Sequence, residues 1–230
     1  MTPYFTDTLL AAPRAGAYAD EYRVAEEFID MLTGKQTIYQ CMRLADEVAA
    51  RGGEPLPAAE YKAEYLRRLD MRIRDRKAAL QNGAARPDDY TVTGAAQFLS
   101  ALSAHMPLYL ASGTDEKDVR YEAGLLDVVR YFERIHGATD DTLDCSKEAV
   151  INSVIAAQAG GRLLGFGDGY VEIELIKRSG GYAVAVTTDE QYRGRIDQKK
   201  RKRLLEAGAD ACVPDFRHAD KLLEFLGLIK

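Results

Sequence analysis

Three polar clusters in the second half of the chain have the makings of an anion site, and each follows a short apolar run. Ser112-Gly113-Thr114-Asp115 comes after Leu108-Tyr109-Leu110-Ala111 and sets a hydroxyl before backbone N–H groups at an expected helix start. Such groups cradle anions, although the same residues also serve as an ordinary helix cap. Lys147 stands just after the cap candidate Ser146 in Asp144-Cys145-Ser146-Lys147-Glu148. A cation in the first turn opposes the helix dipole by roughly 0.3–1 kcal/mol. A bound anion would offset that cost, and an exposed lysine pointing away would largely escape it. In Gly165-Phe166-Gly167-Asp168-Gly169 the glycines are those of a phosphate-binding turn, but Asp168 at the centre would repel a pyrophosphate. A carboxylate there suits a hard cation such as Mg²⁺, which keeps most of its waters and takes only one or two protein carboxylates. Glu172 lies one helical turn further on; a plain turn is the other reading of this loop.

These clusters need strands and helices to hold them. Leu108 to Ala111, Leu163 to Phe166, Tyr182 to Val186 and Ala211 to Val213 are strand candidates, with Ile135-His136-Gly137 a weaker one. Between them helical patterns run over Ala95–Ala104, Asp115–Phe132, Ser146–Ala157, Val171–Arg178 and Asp197–Ala207, with a last one from Ala219. Strands separated by helices of this length call for right-handed crossovers and a parallel sheet covered on both faces. Ligands of such sheets bind beyond the C-terminal strand ends, where all three clusters fall. The first 89 residues read differently, as helices throughout: Thr2 (as cap) to Leu10, Asp20 to Leu32, Lys35 to Gly52-Gly53, and Pro57 to Asn82-Gly83. Arg86-Pro87-Asp88-Asp89 reads as a linker. The expected fold class is α/β, a Rossmann-like parallel sheet over residues 90–230, preceded by an all-helical module over residues 1–89.

Composition narrows the functions available. At 230 residues, 47% hydrophobic and 29% charged, the chain has the proportions of a globular protein and not those of a disordered chain or a disulfide scaffold. No apolar run is long enough to span a bilayer and no signal-peptide pattern opens the chain, so no membrane association is expected. Cys41, Cys145 and Cys212 lack metal-ligand spacing and suit reduced thiols in a cytoplasm. Lys and Arg number 31 against 36 Asp and Glu, a net charge of −5, which argues against nucleic acid as a partner.

In order and spacing, the hydroxyl of LYLASGTD, the lysine of DCSKEAVI and the acidic pair of GFGDGYVE resemble the second, third and fourth motifs of the haloacid dehalogenase-like (HAD) hydrolases, mostly Mg²⁺-dependent phosphatases. The resemblance covers Tyr90 to Lys230, and the helical module is similar to the cap that those enzymes carry. It implies that Ser112, with Gly113 beside it, binds a transferring phosphoryl group. Lys147 would neutralise its charge, Asp168 would help hold Mg²⁺, and Glu172 would support the metal site from behind. The substrate would be a small phosphorylated metabolite, such as a phosphosugar. The family's first motif, an apolar strand ending in two aspartates one residue apart, has no counterpart in these residues. Tyr4-Phe5-Thr6-Asp7-Thr8-Leu9 has one aspartate, no glycine and helix-start signals. The chain as given thus resembles a phosphomonoesterase that begins one motif late and lacks its nucleophile, and is expected to be inactive by itself. A non-catalytic phosphate-ligand or partner-binding protein, or one half of a split enzyme, is the alternative, and a homo-oligomer or a complementing chain stays open.

Two basic stretches remain. Lys199-Lys200-Arg201-Lys202-Arg203 and the arginines Arg67, Arg68, Arg72, Arg74 and Arg76 both read as solvated helix faces, with one or two of the latter available to a phosphorylated substrate. His105, His136 and His218 share no triad or metal spacing.

Overall fold

The computed structural model describes residues 1–33, 35–138, 147–157 and 161–229. The chain divides into two compact units, Met1–Arg76 and Lys77–Lys230. The first is helical: α1 (Thr2–Leu10), α2 (Tyr18–Met31), α3 (Thr37–Ala50) and α4 (Ala58–Gln81), the last running on past the division. The helix cap expected at Thr2 is displaced by one residue, since Met1 is the N-cap and Thr2 with Pro3 already belongs to the first turn. Apolar residues at helical spacing bring Phe5, Leu9, Phe28, Leu44 and Val48 into one core, with the rings of Phe5 and Phe28 stacked 5.7 Å apart. Each such side chain contributes about 1.5–3 kcal/mol by leaving water. Cys41 lies in the same core, and burial pushes its thiol up to about 11, so it is inert packing.

The second unit alternates as expected: α5 (Ala95–Ser103), β1 (Tyr109–Asp115), α6 (Glu116–Leu125), β2 (Arg134–Ala138), α7 (Lys147–Ala157), β3 (Leu164–Gly167), α8 (Tyr170–Arg178), β4 (Tyr182–Val186), α9 (Gln198–Glu206), β5 (Ala211–Val213) and α10 (Ala219–Phe225). All ladders are parallel. Period-two alternation distributes the strands over two helical layers. Leu164, Phe166 and Val213 pack with Phe98 of α5 and Leu223 of α10, whereas Ala183, Ala185 and Cys212 pack with Ile173 of α8 and Leu204 of α9. Gly165 faces that second layer, where a Cβ would strike the Ile176 side chain.

Two expectations fail locally. Asp115–Phe132 is not one helix: α6 ends at Leu125, Asp127 takes a positive φ of 54°, and a 3₁₀ turn follows over Val129–Tyr131. The buried side chains of Val119, Ala123 and Val128 satisfy the helical pattern without a continuous helix. Ser112 to Asp115, expected as a helix start, instead extends β1, with an irregular register between Ala111 and Asp115.

The sheet is in two parts. β1 pairs with β2, and β3 pairs with β4 and then β5. No ladder joins β1 to β3 among the described residues, nor does the first helical segment supply a strand between them. Yet the residues leading into both strands share a helical layer and line one cavity of about 160 Å³, between Met106, Leu163, Leu164 and Phe225. Thus, among the described residues, β1 and β3 each keep an edge of backbone groups with no strand against it.

Candidate phosphoryl site at the strand ends

Each polar cluster is held by a different local device. Ser112 lies in the irregular end of β1, where its Oγ accepts the Thr114 N–H at 3.1 Å. The hydroxyl therefore shapes its own turn, with Gly113 between the two residues. The helix that follows is brought close by Gly137 of β2, at which a Cβ would meet the backbone of Glu116. Glu116 opens α6, and its hydrogen bond from Arg120 at 2.9 Å holds its carboxyl below the usual range. Arg120 also donates to the Ile135 carbonyl at 2.7 Å, so this cation is tied to β2.

Asp168 follows the end of β3, and its side chain is 68% exposed. Glu172, in the first turn of α8, folds back beneath the loop. Its Oε2 occupies the space a Cβ at Gly169 would take, and its Cβ lies 2.9 Å from where one at Gly167 would stand. Gly167 leaves room for the Glu172 Cβ, and at Gly169 a side chain would have to push the Glu172 carboxylate aside. The Asp168 carboxylate thus faces outward while Glu172 supports the turn.

Lys147 is the first residue of α7, a helix that packs against β1 and α8. Its side chain, and the cap expected at Ser146, lie outside the described residues. Ser112 and Asp168 stand at the ends of strands in the two separate parts of the sheet, and no described hydrogen bond or ion pair joins them.

A residue that the sequence did not single out belongs to this edge. Lys200 of α9 places its ammonium 3.8 Å from Asp168 Oδ2 and 3.7 Å from Glu190 Oε1, and donates to the Thr188 carbonyl at 3.3 Å. The readable signal was its position four residues before the fully buried Leu204, on the inward face of an otherwise exposed basic helix.

The oxygen donors fit a divalent cation in kind. Mg²⁺ asks for one or two carboxylates and fills its remaining positions with water and phosphoryl oxygens. Asp168, backed by Glu172, is a donor set of that kind, and no group of three or more His, Cys, Asp or Glu side chains converges at this loop or anywhere among the described residues.

No family model matches the chain, and no curated protein matches it significantly. Solved structures do. A conserved haloacid dehalogenase-like protein of unknown function from Agrobacterium tumefaciens superposes with a TM-score of 0.61 at 17% identity, covering 98% of this chain and 90% of that one. A provisionally assigned phosphatase from Clostridium difficile gives 0.51 at 15% identity, covering 96% and 89%. A haloacid dehalogenase-like family hydrolase from Streptococcus pneumoniae covers only 56% of this chain and 57% of its own, with a TM-score of 0.43 at 20% identity. The first two likenesses run through the parallel α/β unit and the helices before it, and the chain has the haloacid dehalogenase-like fold.

Proposed function

We propose that the chain binds the phosphoryl group of a small phosphorylated metabolite at the ends of β1 and β3. Its chemistry would be that of a cytoplasmic, Mg²⁺-dependent phosphomonoesterase whose attacking carboxylate does not come from these 230 residues. The observation that carries this reading is the division of the sheet. Among the described residues no strand pairs with the free edges of β1 and β3, whose ends carry Ser112 and Asp168, and the sequence has no two aspartates separated by a single residue, the pattern of the missing motif.

In this reading the Ser112 hydroxyl and the Gly113 N–H hold phosphoryl oxygens, and the Lys147 ammonium offsets their charge. Asp168 would hold Mg²⁺, with Glu172 bracing its loop; the bound ion would supply charge compensation for the phosphoryl oxygens. What is missing is covalent attack, and residual electrostatic help does not replace a nucleophile. The Asp168–Lys200 ion pair also supports the second reading, a phosphate binder without turnover, because it compensates the carboxylate with no metal at all.

Inorganic phosphate tests the binding step. At ten times its dissociation constant it should stabilise the chain by about 1.4 kcal/mol, seen as a raised melting temperature. Lys147→Ala and Ser112→Ala should each reduce that shift. An equal shift in both variants would place the anion elsewhere.

A further inference from the structure

We propose that Lys200 is a built-in counter-ion of Asp168, which a divalent cation must displace in order to bind at the end of β3. The side chain of Lys200 is only 13% exposed, whereas Lys199, Arg201 and Lys202 around it are exposed. Its place is set by the helix start: Asp197 caps α9 and accepts the Lys200 N–H at 3.0 Å, which fixes the phase of the first turn. A lysine held this far from water needs partners for its charge. It finds them on two strand ends at once, Asp168 after β3, and Thr188 with Glu190 after β4.

The separations decide what kind of contact this is. At 3.7 and 3.8 Å the carboxylates are within charge range of the ammonium but outside hydrogen-bond distance. Asp168 is held electrostatically while its oxygens stay open to solvent, so a cation can reach it and compete with the ammonium for it. Two cations on one carboxylate repel, and at this range a unit charge facing a divalent ion weakens binding roughly tenfold even when water screens it. Displacement does not strand Lys200, which keeps Glu190 and the Thr188 carbonyl. Before any metal arrives, the same ammonium reduces repulsion between Asp168 and an incoming oxyanion. The inference rests on the proposed reading of the β3 loop as a ligand edge.

Titration with Mn²⁺ alone, without phosphate, followed by the electron spin resonance of the free ion, tests it on the full chain. Lys200→Met should bind Mn²⁺ about tenfold more tightly than the parent, Lys200→Arg should match the parent, and Asp168→Asn in the Lys200→Met background should abolish the gain. Lys200→Gln carries the same expectation as Lys200→Met should the latter misfold. Removal of the ammonium with less than a twofold gain, or a gain that survives Asp168→Asn, overturns the proposal. A failure of the phosphate reading would show in phosphate titrations and leave the Mn²⁺ result standing.

Discussion

At the scale of single residues, a carboxylate is defined by what faces it. Asp168 is open to solvent with an ammonium at charge distance, which suits exchange of partners. Glu21 in the helical unit is the opposite case: it is 3% exposed, Oε1 accepts the Gly16 N–H at 2.6 Å, and Oε2 accepts from Arg51 Nε at 2.8 Å. The Arg51 hydrogen bond holds its carboxyl below the ordinary 4.5. A depressed folded pKa means that the stabilisation is fully present above the unfolded value and is lost as pH falls through the folded one. Urea unfolding should therefore show stability declining below about pH 4.5. Glu21→Gln should cost about 2 kcal/mol at neutral pH and flatten that acid limb, less than a fully isolated charge would cost because Arg51 keeps Glu47. An unchanged acid limb in the variant would mean that other carboxylates set it. Glu21 was illegible in the sequence, and Lys200 legible only through its spacing from Leu204, for one reason: a charged residue on a helix reads as solvated until the neighbour that buries it is known.

Among the elements, the strands were the most legible. β4 and β5 occupy the expected Tyr182–Val186 and Ala211–Val213, because apolar runs bounded by turn residues leave few alternatives. The end of β1 was not legible, since Ser-Gly-Thr-Asp favours turns and, of these four, only Asp115 finds a partner in β2, Ala138. The two parts of the sheet explain the contrast in burial: Ala183, Val184 and Ala185 of β4 are fully buried, whereas no residue of β1 or β3 is. Hydrogen exchange should follow this. Amides at the centre of β4 should be protected orders of magnitude longer than those of β1 and β3 that face away from their one partner strand. Uniform protection of all three strands would mean that β1 and β3 pair after all. Gly137 offers a second check. Gly137→Ala must part β2 from the start of α6 and should lower stability by about 1–3 kcal/mol, read as a lower denaturant midpoint at unchanged slope.

Taken whole, the molecule has the haloacid dehalogenase-like fold, and the function proposed for it is phosphoryl binding without covalent attack. A hydroxyl turn, a helix-start lysine and an exposed carboxylate sit at the ends of β1, α7 and β3, and the fold is that of haloacid dehalogenase-like proteins. Two of the three clusters stand out in the sequence because they break a local rule: a lysine against a helix dipole and an aspartate in a glycine turn. Where those side chains stand relative to one another was not legible, since Ser112 and Asp168 lie on strands that no ladder joins among the described residues. The central claim is phosphoryl binding without turnover, and ³¹P resonance of p-nitrophenyl phosphate with the 230-residue chain and Mg²⁺ reads both halves at once. The predicted result is a broadened phosphomonoester signal that loses its broadening in Lys147→Ala, with no inorganic phosphate accumulating over hours. Inorganic phosphate growing in proportion to protein concentration, or an ester signal untouched by the protein, would contradict it.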